Sequence, residues 1–261
     1  DFCLSRGLGD VYKRQDIYDI IYRKEVKSMD DIVVINNLTK RFSQITALDN
    51  FSIKLPKGKV IGMLGPNGSG KTTLIKILTN LSMQYEGEVL INGQKPGIET
   101  KKIVSYLPDC NFLSDSWTVN DAIEYFVDFF VDFDEQKARN LISQLGINFN
   151  QKIKTLSKGT KEKVHLVLVL SRNAELYIFD EPIAGVDPAA RDLIFKLILE
   201  NYNKNGTILM ATHLILEAET IFDYAFFINN GRLALYDSVE NIKNKTGKTL
   251  DQLFREIYRY G

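Results

Sequence analysis

Eight consecutive residues set the chemistry to be explained. Gly65-Pro66-Asn67-Gly68-Ser69-Gly70-Lys71-Thr72 fit the spacing G-x-x-x-x-G-K-[ST], after the apolar run Val60–Leu64 and before a helical pattern. The glycines let backbone amides curl around phosphate oxygens without a Cβ in the way, and the positive end of the following helix adds to the attraction. Lys71 is placed to reach the outer phosphates and the Thr72 hydroxyl to meet Mg2+. Farther on, Leu176-Tyr177-Ile178-Phe179-Asp180-Glu181-Pro182 runs an apolar strand into two carboxylates, at the sheet edge where α/β ligands bind. Asp180 suits Mg2+ through its water shell. Glu181, one residue farther out, suits a general base that orients and deprotonates an attacking water.

The phosphate cradle does not select the base. Guanine-specific folds usually carry Asn-Lys-x-Asp, and the nearest approach, Asn244-Lys245-Thr246-Gly247, lacks the carboxylate. A guanine nucleotide is therefore the lesser expectation.

The elements that must hold these residues follow from hydrophobic period and turn chemistry. β-Branched and apolar runs predict strands at Ile32–Asn36, Phe51–Leu55, Val60–Leu64, Glu88–Ile91, Ile103–Leu107, Leu176–Phe179, Thr207–Ala211 and Ala225–Ile228. Helices are predicted at Gly70–Thr79, Val119–Phe130, Glu135–Leu145, Lys161–Ser171, Pro188–Glu200, Leu214–Ile221, Val239–Asn244 and Leu250–Tyr258. In the last of these, Leu250, Leu253, Phe254 and Ile257 form a stripe expected to pack on the chain's own body. The order gives an α/β fold with an N-terminal antiparallel β subdomain and a helical insertion near residues 112–160, and the phosphate motif makes the expected mixed sheet core that of a P-loop NTPase.

Composition bounds the setting. With 261 residues, 44% of them hydrophobic, the chain can bury a full core. Thirty-three basic against 33 acidic residues leave no global field for nucleic acid, and none is expected as a partner. Cys3 and Cys110 have no metal-like spacing, which fits a reducing, cytoplasmic compartment. The apolar runs Val164–Leu170 and Phe126–Phe133 fall far short of the roughly 20 residues a spanning helix needs.

Residues 1–28 fit neither a secretory signal nor a lead-in to the fold. Asp10-Val11-Tyr12-Lys13-Arg14-Gln15 resembles the translation of a transposase mosaic-end adapter, so residues 1–28 are expected to be a non-native leader and 29–261 the domain that carries these motifs, with Met29 as the native start.

Leu156-Ser157-Lys158-Gly159-Thr160, Ala184-Gly185-Val186-Asp187 and His213 stand around the acidic pair in an order that resembles one family. It is that of the ATP-binding cassette ATPases, the nucleotide-binding subunits of ABC transporters, and the resemblance covers nearly all of residues 31–261. It implies an enzyme that binds ATP with Mg2+ and hydrolyses it. Phe42 would stack on adenine or, alternatively, belong to the core. Pro66, Asn67, Ser69 and Thr73 would join the cradle, Ser157 and Gly159 would bind the γ-phosphate from a second subunit, and His213 would hydrogen-bond it beside Glu181. His165, inside the helix after the signature, is read as structural.

Two residues depart from the family pattern. The signature has Lys158 and Thr160 where Gly and Gln are usual; Lys158 either attracts phosphate or points to solvent. Asp109 follows Ser105-Tyr106-Leu107-Pro108 where a glutamine is usual, and it either ligates Mg2+ as a hard oxygen donor or serves the loop alone. The resemblance further implies a homodimer or a heterodimer with a related cassette, separate transmembrane permease subunits, and a position on the inner face of the cell membrane. Cys110, Asn111, Phe112, Leu113 and Trp117 are the expected membrane-partner contact, or else packing within the insertion. Tyr106-Leu107-Pro108 and Ala184-Gly185-Val186-Asp187-Pro188 are most similar to exporters. The competing reading is a soluble cassette ATPase with a regulatory role.

Overall fold

The computed structural model describes residues 31–258 except Gly185, so the expected leader lies outside the described residues. In chain order the elements are β1 (Asp31–Phe42), β2 (Ile45–Pro56), β3 (Val60–Leu64), α1 (Lys71–Leu78), β4 (Glu86–Ile91), α2 (Ile98–Ile103) and β5 (Val104–Leu107). There follow α3 (Val119–Phe129), α4 (Glu135–Gln144), α5 (Lys158–Leu170), β6 (Leu176–Asp180), α6 (Pro188–Asn201) and β7 (Thr207–Thr212). Next come α7 (Ile215–Ala218), β8 (Tyr224–Asn229), β9 (Arg232–Ser238), α8 (Val239–Thr246) and α9 (Leu250–Tyr258).

The strands form two sheets. β2-β1-β4 is antiparallel, and β5-β6-β7-β3-β8-β9 is parallel except for β9, which returns antiparallel along β8. Strands β3, β6 and β7 are buried at every residue, which is why they read as continuous apolar runs. Their side chains still alternate between two cores. Ile61, Met63, Ile178, Leu209 and Ala211 face the antiparallel sheet and α1, whereas Val60, Leu64, Tyr177, Phe179, Ile208 and Met210 face the helical side.

The helical insertion is locally encoded. Thr118 caps α3 in a reciprocal box, its hydroxyl accepting from the Asp121 amide at 3.1 Å while the Asp121 carboxylate accepts from the Thr118 amide at 2.8 Å. Asp134 caps α4 and Ser157 caps α5. Arg172, only 3% exposed, fastens the insertion to the sheet. Its guanidinium donates to the Val104 carbonyl (2.6 Å) and to Asp132 (2.9 Å), and it lies 4.1 Å from the Phe130 ring.

The structure departs from the predicted elements at several places, β2 among them, which starts at Ile45 rather than Phe51. β1 runs on past Asn36 to Phe42, because Asn37 adopts φ 53 at a register shift and the strand resumes beyond it. α2 and β9 are additional elements. α5 begins at Lys158 rather than Lys161, since Ser157 supplies the cap. Leu214–Ile221 divides into α7 and a 3-10 turn, Glu219–Ile221. The stripe of α9 packs inward as expected: Leu250 and Leu253 are buried, and the Tyr258 hydroxyl donates to the Ile228 carbonyl at 2.7 Å.

Candidate active site

The loop between β3 and α1 is held from two sides. The β8–β9 hairpin turns at Asn230-Gly231, with φ 48 and 74, and the Gly231 amide donates to the Ser69 carbonyl at 2.9 Å. On the other side lies the backbone of β2. A Cβ at Gly70 (φ 116) would stand 2.8 Å from the Ala47 carbonyl oxygen, and one at Gly231 only 2.6 Å from it. Both glycines are thus required by close backbone approach as well as by φ. No side chain caps the N-terminus of α1, which leaves its first-turn amides to an anion.

Lys71 is buried and closes the loop on itself, donating to the carbonyls of Gly65 (2.7 Å) and Pro66 (3.2 Å). Its Nζ is 3.8 Å from Glu181 Oε1. Burial lowers the Lys71 pKa, against the opposing pull of Glu181 and Asp180.

Asp180 ends β6 and is 2% exposed. Burial first, then the negative charges of Asp109 and Glu181, push its pKa up to about 6. The Thr72 side chain hydrogen-bonds its carboxylate, but Asp180 Oδ2 has no partner. A buried, unpartnered carboxylate oxygen beside a hydroxyl and the triphosphate cradle fits a hard divalent cation. Asp109 reaches the same neighbourhood from the end of β5: its charge and that of Asp180 both raise the Tyr106 pKa, after burial.

Glu181 takes φ 53, a left-handed conformation uncommon for a side chain of its type, and its amide is held by the Ala211 carbonyl at 2.9 Å. The carboxylate lies between the start of α1 and the end of β7. Oε1 faces Lys71, and Oε2 lies 2.9 Å from His213 Nδ1 at the end of β7.

Asn67, Gly68, Gly70, Lys71, Thr72, Thr73, Asp109, Asp180 and Glu181 line one cleft of about 420 Å³. Ile45, Thr46, Ala47, Asn230 and Gly231 complete its wall. These last residues escaped sequence reasoning, although Asn230-Gly231 is a strong hairpin-turn signal. Of the other expected site residues, Gly65, Pro66, Ser69 and His213 do not line the cleft, nor do Phe42, Ser157 and Gly159. Phe42 is 48% exposed at the end of β1, with Lys40 Nζ 4.7 Å from its ring centroid, so the core alternative fails. Ser157 and Gly159 are exposed at the start of α5, where the Ser157 hydroxyl bonds that of Thr160 at 2.7 Å. Of the expected docking segment, Cys110 is exposed and Leu113 is buried in the core. Phe112 lies against His165 at 4.5 Å, and Trp117 against Tyr125 at 4.9 Å.

A mostly parallel sheet whose strand β3 opens into this cradle, with an acidic pair at the end of β6 beyond the intervening β7, defines a P-loop NTPase. Residues 48–184 match the family model described as ABC transporter, and the chain belongs to that family. It is 31% identical over 218 residues to an ABC transporter ATP-binding protein of Methanocaldococcus jannaschii, covering 82% of this chain and 80% of that one. It is 29% identical to the lantibiotic transport ATP-binding protein SrtF of Streptococcus pyogenes, covering 80% and 93% respectively. It spans only 15% of the length of a larger mouse relative. Among solved structures, an ATP-binding subunit of an ABC transporter superposes with a TM-score of 0.78 at 26% identity, over 86% of this chain and 98% of that one. Among the described residues, no helix is long and apolar enough to cross a membrane.

Proposed function

We propose that this chain is the Mg2+-dependent ATP-hydrolysing subunit of an ABC exporter, working at the inner face of the cell membrane with separate transmembrane subunits. The observation that carries the reading is Glu181, held between Lys71 at 3.8 Å and His213 at 2.9 Å at the mouth of the phosphate cradle. The cradle, from Gly65 to Thr73, takes the phosphates of ATP, and Phe42 offers its exposed ring to adenine. Thr72 and Asp180 are the residues that would hold Mg2+, which when bound neutralises phosphate charge.

Glu181 accepts a proton from a water whose oxygen forms a bond to the γ-phosphorus, while the bridging oxygen leaves with ADP and keeps the bond's electron pair. His213 fixes the carboxylate and stands near the γ-phosphate. Ser157 and the Gly159 amide, which do not line the chain's own cleft, complete the site of a second cassette. A transport role is supported by the likeness to the lantibiotic transport ATP-binding protein SrtF, and the exporter reading by the residues around Tyr106 and Asp187.

Glu181→Gln tests the central assignment. Steady-state hydrolysis is expected to fall by at least about 10²-fold, the scale of a lost general base, with ATP binding retained. Undiminished turnover would remove Glu181 from this role.

A further inference from the structure

Glu181 and His213 stand on different loops, and their 2.9 Å contact holds only while those loops keep their spacing. Glu181 opens a turn in which its carbonyl accepts from the Ala184 amide at 3.0 Å and the Ile183 carbonyl accepts from the Val186 amide at 3.3 Å. His213 follows β7 and leads through Leu214 into α7, which is anchored by the buried Ile215 and Ala218.

One side chain spans the gap between the two loops. Arg191, near the start of α6, reaches back and donates from Nε to the Val186 carbonyl at 3.3 Å. Its Nη1 donates to Glu217 Oε1 on α7 at 2.5 Å. The contacts close into a ring that runs from Glu181 through the turn to Val186, across Arg191 to Glu217, and along α7 to His213, which meets Glu181 again. The two side chains are 18% and 35% exposed, a setting in which an ion pair adds little to stability, so the pair contributes mainly geometry. A guanidinium suits that task, because its planar fork fixes the directions of two acceptors where an ammonium does not.

We propose that Arg191, braced by Glu217, is a positioning residue that sets the spacing between the general base Glu181 and His213. This deepens the ATPase reading and rests on it. Arg191 does not line the cleft, so its loss slows the step that Glu181 performs and leaves ATP binding to the cradle.

The test has a kinetic arm and a spectroscopic one. Arg191→Met is expected to lower kcat about tenfold, the order of a small misplacement of the base, with ATP affinity by calorimetry within about twofold of wild type. Glu217→Gln is expected to fall in the same direction, and the double variant no further than Arg191→Met alone, since the two act as a unit. Nitrogen-15 NMR of the nucleotide-free protein reads the chain's two imidazoles. In Arg191→Met the His213 signals are expected to move towards those of Glu181→Gln, while His165, packed against Phe112, stays in place as the internal control. Arg191→Lys, which keeps the charge but not the fork, is expected to lie between wild type and Arg191→Met in both arms, and it replaces the methionine variant should that fail to fold.

Unchanged kcat, an equal loss of kcat and ATP affinity, an unmoved His213 signal, or His165 moving together with His213 each overturns the proposal. Wild type that hydrolyses ATP beside variants that do so equally well sinks this inference and leaves the ATPase reading standing. Wild type without ATP turnover sinks the ATPase reading, while a selective His213 shift would still establish the strut.

Discussion

A buried imidazole limits the acid tolerance of this chain. His165 on α5 is 6% exposed, its ring is 4.5 Å from Phe112 and its Nε2 has no partner. Burial, with a smaller contribution from Lys161, lowers its pKa from 6.5 to about 4. The folded imidazole thus stays neutral where the unfolded one takes a proton. Stability from this group is complete above pH 6.5 and is lost as pH falls through the window from 6.5 to 4, by roughly 3 kcal/mol in all. Asp180, raised to about 6, has the opposite sign: its charged form is disfavoured in the fold, so protonation between pH 6 and 3.8 favours folding. Comparing wild type with His165→Leu cancels the Asp180 contribution, which both chains share. Urea unfolding from pH 7.5 to 4.5 should show the variant gaining on wild type by roughly 2 kcal/mol as the solution is acidified. A difference independent of pH would mean that the folded imidazole titrates as freely as the unfolded one. His165's structural role was legible from its place inside an apolar helix; its partnerless nitrogen was not, because no sequence pattern encodes what fails to reach a side chain.

Two Asn-Gly turns show how an element can serve a site it does not belong to. Asn92-Gly93 closes the turn after β4, and Asn230-Gly231 joins β8 to β9; the backbone angles are nearly the same, φ 47 and 76 against 48 and 74. Their surroundings differ. A Cβ at Gly93 meets nothing within 4 Å, whereas one at Gly231 would strike the Ala47 backbone and displace the amide that holds Ser69. Gly93→Ala should cost only the left-handed strain, about 1–2 kcal/mol, with ATP affinity unchanged. Gly231→Ala should cost more and weaken ATP binding several-fold, as read by urea unfolding and nucleotide calorimetry; equal losses in the two variants would disconnect the hairpin from the cradle. Val60–Leu64 was legible to the residue because a strand buried on both faces is apolar throughout. Arg232–Ser238 was not, since an edge strand keeps polar residues on its open side, and the six-residue α2 is too short and polar for a helical period. Likewise Asn36-Asn37 carries the composition of a turn but forms a bulge, which only pairing with β2 and β4 reveals.

At the scale of the whole molecule, the residues that sequence order assigns to one reaction lie on two surfaces. Lys71, Asp180 and Glu181 line the cleft, while Ser157 is exposed at the N-terminus of α5 with its hydroxyl accepting from the Thr160 amide at 3.2 Å. Under the proposed function these surfaces meet only when two chains close over ATP, the γ-phosphate of one facing the α5 terminus of the other. Ser157→Asp separates that role from folding. Aspartate caps a helix about as well as serine, so the α5 terminus and thermal stability should be preserved. Its added charge, however, would face a phosphate across the closed interface, where the like-charge contact is poorly screened. In a Glu181→Gln background, light scattering after size exclusion should show ATP-driven doubling of the mass. Adding Ser157→Asp should leave the chain monomeric in ATP while each monomer still binds nucleotide through its own cradle. Doubling that survives the aspartate would place the γ-phosphate away from α5, and the two surfaces would then need separate explanations.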